Sequence, residues 1–393
     1  MTVPAAGDLA PLVARAEDLA FDLELRSVRA WRSAHPGAPA IGYLPVWAPR
    51  ELVHAAGGIP VGILGGGDRI EIIKGDACFQ SYVCHLPRSV IELGLSGRLD
   101  VLDGLLFPSI CDVIRNLSGM WRLLFPGKLV RYLDLPQNFD PAVGGVFLRG
   151  EFERLQDDLV ELGGRRPSDD DLRRSIAAFD ENRALLEALH DLRRREPWRV
   201  PTSELYVVAR AGCVLPVEEH SALLRDYLAR VGAAARAPLD NARVVVVGAF
   251  CEQPPLDLLR TLERAGCYVV GDDFLLGARF LRGAIDARGD PLDALVEAYL
   301  HQSVAHASVF CAEREKGEEL VRDVRGSGAE GVLFAAPSFC DPALLDQPML
   351  QAALDRARVP HTSFKYSENT GQFQGIREQA GTFADAIKLW SEA

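Results

Sequence analysis

No stretch of this 393-residue chain keeps up an apolar run near the ~20 residues a bilayer crossing needs, so no membrane span is expected. Excess positive charge is lacking too. Against 55 Asp and Glu there are 43 Lys and Arg, a net charge of −12, which disfavours nucleic acid and acidic membrane surfaces as main partners. The start, MTVPAAGDLAPLVARAEDLAFDL, has early acidic residues and no long apolar centre, so it reads as neither signal nor transit peptide, and a cytoplasmic protein is expected. Gly65-Gly66-Gly67 lacks the GxGxxG spacing and no GxxxxGK[ST] occurs, so any nucleotide-driven step belongs to a partner. The eight cysteines include no tight CxxC pair of the ferredoxin or structural-zinc kind. In a reducing cytosol they are buried filler, metal ligands or nucleophiles rather than disulfides. Spacing alone supports no Ser-His-Asp arrangement.

What is present is a large apolar fraction, 48%, in a chain longer than one core usually grows, which points to two domains. Leu12, Val13, Ala16, Leu19, Ala20 and Leu23 keep a helical period, so residues 1–38 read as a helical N-terminal arm. Residues 39–148 read as a first α/β domain. Its AIGYLPVWAPRELVHAAGGIPVGIL is a β-α-β unit; a helix over Arg88–Gly94 is expected to open at Pro87, and a last strand over Lys128–Pro141. Residues 149–240 are rich in charge at helical spacing and read as a helical connector. Residues 241–393 restart the alternation, with strands at 243–250 and 267–272, helices at Pro291–Gln302 and Glu313–Arg325, the strand PHTSFKY and a closing helix over Gly375–Trp390. The expected class is α/β, two Rossmann-like doubly wound parallel-sheet domains joined through that connector.

Two apolar runs end in the same way. GLLFPSICDVIRNLSGMWRLLF and GVLFAAPSFCDPALL each pass from a buried strand to a Cys-Asp pair, Cys111-Asp112 and Cys340-Asp341, and then into a helix. Such corners lie at the carboxyl edge of an open α/β sheet, where ligands bind, and a helix start stabilises a thiolate. Cys84 also stands just before a helix start. Three thiolates from two domains, Cys84, Cys111 and Cys340, read as ligands of a shared [4Fe-4S] cluster with one iron open. A lone cysteine at a strand end is more often core filler, and the repeated corner is what argues otherwise. Cys251, in GAFCEQPP, is the first reserve ligand and Cys78 the second; Cys213, Cys267 and Cys311 read as structural. Arg115, Asn116 and Trp121 share the helix behind Cys111; on a cleft face they would hold a ring, a thioester or a phosphate, packing being the ordinary alternative. His85, beside Cys84, is a candidate proton donor, while His301 and His306 read as ordinary histidines.

These segments, with YLPVWAPRELVHAAGGIPVGILGGG, YVCHLPRSVIELGLSGRLDVLDG and YLDLPQNFD, resemble the 2-hydroxyacyl-CoA dehydratase and benzoyl-CoA reductase family over nearly the whole chain. SICDVIRNLSGMW followed by LPQNF is similar to the reductase branch, and there to its smaller cluster-bearing component, known as C or gamma. The resemblance implies a [4Fe-4S] cluster on three cysteines, here Cys84, Cys111 and Cys340, with acyl-CoA near the open iron. His85 stands where many relatives have proline. The implied partners are a larger homologous cluster-bearing subunit, a two-subunit ATPase or activator with its own [4Fe-4S] cluster, reduced ferredoxin as donor, and an aromatic acyl-CoA substrate. The implied reaction is ATP- and ferredoxin-dependent reductive dearomatisation of benzoyl-CoA to a cyclic dienoyl-CoA, driven by a very low-potential donor. The alternatives are a 2-hydroxyacyl-CoA dehydratase subunit using the same one-electron reduction, a non-catalytic scaffold subunit, and a structural zinc protein.

Overall fold

The computed structural model describes residues 9–308, 315–367 and 373–391; Cys311 and the start of the helix expected from Glu313 lie outside the described residues. Two helices, α1 (Ala10–Ala20) and α2 (Arg26–Ala34), lead into strands β1 (Ala40–Tyr43), β2 (Ile59–Gly62), β3 (Gly104–Pro108) and β4 (Leu129–Leu133). Between them run α3 (Arg50–Ala55), α4 (His85–Leu95) and α5 (Asp112–Leu124). Four helices follow: α6 (Val146–Glu161), α7 (Asp169–Arg195), α8 (Thr202–Ala211) and α9 (Val217–Val231). The second half contains β5 (Ala242–Val247), α10 (Leu256–Arg264), β6 (Cys267–Asp272), α11 (Pro291–Gln302), α12 (Lys316–Ser327), β7 (Gly331–Pro337), α13 (Asp341–Ala357), β8 (His361–Tyr366) and α14 (Gln374–Ser391).

Both sheets are parallel and share one order, β2-β1-β3-β4 and β6-β5-β7-β8, so the fold is α/β with two Rossmann-like units. The continuous apolar runs have their reason in burial on both faces: every residue of β3 and β7 is inside. In the second sheet the period of two divides the strands between layers. Val244, Val246, Leu333 and Ala335 pack with α10 and α14, while Val245, Val332 and Phe334 pack with α12 and α13. Each sheet reverses its strand order beside the first strand, which opens a crevice at the carboxyl ends of β1/β3 and of β5/β7.

Helix α7 ties the halves together. It starts on a capping box, with the Ser168 side chain taking the Asp171 N–H and the Asp171 carboxylate taking the Ser168 N–H. Its 27 residues span about 40 Å at ~1.5 Å per residue. Arg183 meets Glu51 of α3 at 2.6 Å, and ten residues on Arg193 meets Asp272 at the end of β6, also at 2.6 Å; all four side chains are buried. Removing one partner of such a pair strands a buried charge, at a cost of about 3–5 kcal/mol. The relative position of the two crevices is fixed through these pairs.

Three element ends differ from expectation. The expected strand 128–141 stops at Leu133, because the chain turns there and the Leu135 N–H donates to the Ser109 hydroxyl at 2.9 Å. The strand expected to reach 250 stops at Val247, since Gly248 takes φ +109, closed to ordinary side chains. Helix α4 begins at His85, so Pro87 is its third residue and not its first.

Candidate functional site

The two Cys-Asp corners are built alike, from Pro108-Ser109-Ile110-Cys111-Asp112 and Pro337-Ser338-Phe339-Cys340-Asp341. In each, the serine N–H donates to the last residue of the neighbouring strand, Ser109 to Leu133 at 3.0 Å and Ser338 to Tyr366 at 2.7 Å. In each, the cysteine is the N-cap residue of the helix that follows, α5 or α13. Cys84 is in turn the N-cap of α4.

The cysteines from these corners converge. Burial pushes the Cys84 thiol far up, and then the Glu252 carboxylate and the Cys340 and Cys111 thiols add to it. Cys111 is also raised, first by burial; the Ile114 and Val113 amides pull it back and Cys340 and Asp112 push it up. Cys251, the first reserve, joins the group: buried, its thiol is raised by burial, then by a hydrogen bond with Cys340, and further by Cys111 and Cys84. The second reserve, Cys78, sits in a short turn packed against the first core.

One carboxylate bolts the group together across the two halves. Glu252, 2% exposed, reaches from the β5–α10 corner to the start of α4, where it accepts the His85 N–H at 2.9 Å and the Leu86 N–H at 3.2 Å. An acidic side chain at a helix N-terminus satisfies amides the helix itself cannot. Its own carbonyl accepts the Tyr366 hydroxyl, and Gln253 beside it, fully buried, donates to the Phe250 carbonyl at 3.1 Å and accepts the Leu275 N–H at 3.1 Å. Nothing in the sequence spacing announced Glu252, since its partners lie 167 and 166 positions away.

Residues 45–387 match the family described as "2-hydroxyglutaryl-CoA dehydratase, D-component". The chain belongs to this family. It is 54% identical over 383 residues to the protein named as the C subunit of benzoyl-CoA reductase from Thauera aromatica, covering 97% of this chain and 99% of that one. It is 28% identical to the beta subunit of (R)-2-hydroxyglutaryl-CoA dehydratase from Acidaminococcus fermentans over 89% of this chain and 93% of that one. A lactoyl-CoA dehydratase beta subunit from Anaerotignum propionicum is 27% identical over 90% of this chain and 93% of that one. It is therefore an enzyme subunit.

The other expected site residues are placed unevenly. Trp121 is inside, 4% exposed, its ring tilted 39° to that of Phe125 at 4.2 Å and closed over Gly94 of α4, so it packs as part of the first core. Arg115 is exposed, its guanidinium 5.5 Å from the Tyr132 ring, and Asn116 is exposed beside it. His85 is buried, and burial lowers its pKa, so at neutral pH it is an uncharged imidazole and a poor acid. Cys267 is core, and Cys213 packs against Gly62.

Among the described residues no three His, Cys, Asp or Glu side chains stand close enough to hold a metal ion. A single ion needs every thiolate within ~2.3 Å of one point. A four-iron cube binds its thiolates at separate corners, so its donors stand wider apart, and an all-sulfur donor set is its chemistry. The donors around Cys111 and Cys340 fit that body better than they fit zinc. A cavity of about 830 Å³ lies behind the corners, between α7, α12, α13 and the second sheet, reaching Gly248, Phe250, Asp273 and Ala343; none of the four thiols lines it. Among the described residues no helix is long and apolar enough to cross a membrane.

Proposed function

We propose that this chain is the iron–sulfur subunit of the catalytic module of a benzoyl-CoA reductase, with Cys84, Cys111 and Cys340 holding a [4Fe-4S] cluster. The observation that carries the reading is the meeting of thiols, Cys340 buried and Cys84 and Cys111 partly buried, from two repeated Cys-Asp corners and a helix start. Ionising several buried thiols side by side is unfavourable, and a cationic metal centre is what makes them thiolates together. When bound, the cluster supplies low-potential one-electron chemistry. Among the chain's own residues, Glu252 fixes α4 against the Cys251 corner.

The partners in this reading are a larger homologous subunit, a two-subunit ATPase with its own cluster, and reduced ferredoxin. The naming of the relatives as subunits supports an assembly. Within the family, 54% identity to a reductase component against 28% to a dehydratase favours the reductase branch.

Two measurements on anaerobically purified protein test this. Iron and labile sulfide should come to about four each per chain, and Cys111→Ser should remove them; a chain that never binds iron returns the scaffold reading. With its partner subunits, ATP and reduced ferredoxin, benzoyl-CoA should be converted with net consumption of electrons. Conversion of a 2-hydroxyacyl-CoA without net electron consumption, and none of benzoyl-CoA, makes it a dehydratase subunit instead.

A further inference from the structure

The cavity of about 830 Å³ between α7, α12, α13 and the second sheet has a wall that the thiol site does not use. It stands at the carboxyl end of that sheet, where the strand order reverses and open α/β sheets take their ligands. Its floor is apolar, made by Val245 and Val247 of β5, Phe334 of β7, and Leu320 and Leu350 of the covering helices. Beside that floor β6 ends, Val245 being paired with Gly271 and Val246 with Asp272, and there the wall becomes cationic. Arg193, 1% exposed, and Arg279 both bind the one carboxylate of Asp272, at 2.6 and 2.9 Å. Arg193 also donates from Nη2 to the His190 Nδ1 at 3.1 Å, so that histidine is an uncharged acceptor. Asp273, next along the chain, uses its two oxygens on the Gly248 and Ala249 amides. Two guanidinium groups thus share a single carboxylate, and among the described residues the Arg193 Nε and the Arg279 Nε and Nη1 have no hydrogen-bond partner. A buried cation short of acceptors is costly, and this surplus lies in the wall of a space wide enough for a ligand.

We propose that this cavity binds a small monocarboxylate with an aromatic or alicyclic body, its carboxylate against Arg279 and Arg193 and its ring on the floor of Val245, Val247 and Phe334. The pairing of surplus positive charge with an adjoining apolar floor selects this chemistry. An inorganic anion leaves the floor unused, and a neutral ring leaves the guanidinium groups unanswered. A planar carboxylate also matches the fork that a guanidinium presents. The site is separate from the thiols, none of which lines it, and it needs no iron. Because α7 forms one wall and the second sheet another, a bound acid braces the helix that joins the two halves, and binding to the folded state raises stability.

The test uses the full chain, with benzoate and cyclohexanecarboxylate as probes and benzamide and inorganic phosphate as the uncharged and ring-free controls. In calorimetry both acids are expected to bind with a Kd of about 1 mM or tighter, in keeping with so small a ligand. They should also raise the thermal midpoint as their concentration rises, and the controls should do neither. Arg279→Gln should weaken benzoate binding roughly tenfold or more, since it removes a charge-assisted contact. Ala188→Trp, at an exposed residue of the cavity wall, should abolish binding by filling the space. Binding of neither acid to wild type overturns the proposal, and so does binding of benzamide or phosphate as tight as that of benzoate; these arms need no variant to fold. Unchanged affinity in folded Arg279→Gln and Ala188→Trp overturns it as well, by placing the ligand elsewhere. The readouts do not depend on iron, so a chain that binds the acids but never takes up a cluster sinks the proposed function and leaves this inference standing.

Discussion

The two sheets have the same strand order and direction and the same Pro-Ser-x-Cys-Asp corner after the third strand, yet they part company after the first. Four residues beyond β5 stands Cys251; four residues beyond β1 stands Trp47. The tryptophan packs among Phe152, Phe280 and Tyr299, the last two contributed by the second half, so the first corner acts as an aromatic rivet. The first half makes up its thiol from elsewhere, at the start of α4. Even the shared corner is not held identically. Phe339, ahead of Cys340, sits at φ 65 in the left-handed region, a strained place for a bulky residue, whereas Ile110 ahead of Cys111 is not among the positive-φ residues. A duplicated architecture thus gives two equivalent corner cysteines, while the corners after the first strands diverge, into an aromatic cluster in one half and a buried cysteine in the other.

The largest expected effect is at the rivet. Trp47→Ala removes a buried indole and should cost about 3–5 kcal/mol in chemical denaturation, while folded protein keeps its iron. Iron loss from a still-folded variant breaks the division drawn here, since the first corner would then belong to the thiol site. Next comes Glu252→Ala, which leaves two buried amides at the start of α4 without this acceptor and should cost about 1–3 kcal/mol. Glu252→Gln, which keeps an acceptor oxygen, should recover most of that stability. If both substitutions leave denaturation midpoints and iron content unchanged, the carboxylate does not hold the two halves in register.

Much of this was readable in advance because it is local. Unbroken apolar runs meant strands covered on both faces, and Cys-Asp before a helix meant a sheet-edge corner. Trp121 was readable too: Ile114, Leu117, Ser118 and Trp121 lie at i, i+3, i+4 and i+7, the buried stripe of α5, and that period favours the packing alternative over the ligand role that the nearness of Cys111 suggested. The Glu252 clasp and the Arg183–Glu51 and Arg193–Asp272 pairs were not readable, because each joins residues distant in sequence through tertiary packing. Cys251 lacked the following aspartate that marked the other corners, so pattern alone ranked it in reserve.

The smallest effect distinguishes the halves by pH. Asp273, just past β6, accepts the Gly248 N–H at 2.7 Å and the Ala249 N–H at 3.0 Å and so steadies the Cys251 corner. The residue in the same place past β2 is Ile63, which does not titrate. Burial raises the Asp273 carboxyl to about 7, the Gly248 amide opposing and Asp272 adding to the rise. Between about pH 4 and 7 the unfolded chain has released this proton and the folded chain retains it, so the folded state binds more protons and stability falls as pH rises through that window. Because the carboxyl borders the cavity, where water softens the penalty, the decline should be on the order of 1 kcal/mol. Asp273→Asn should flatten that slope and leave the midpoint at pH 4 nearly unchanged. A slope that survives the substitution assigns the pH dependence to another group and removes this difference between the sheets.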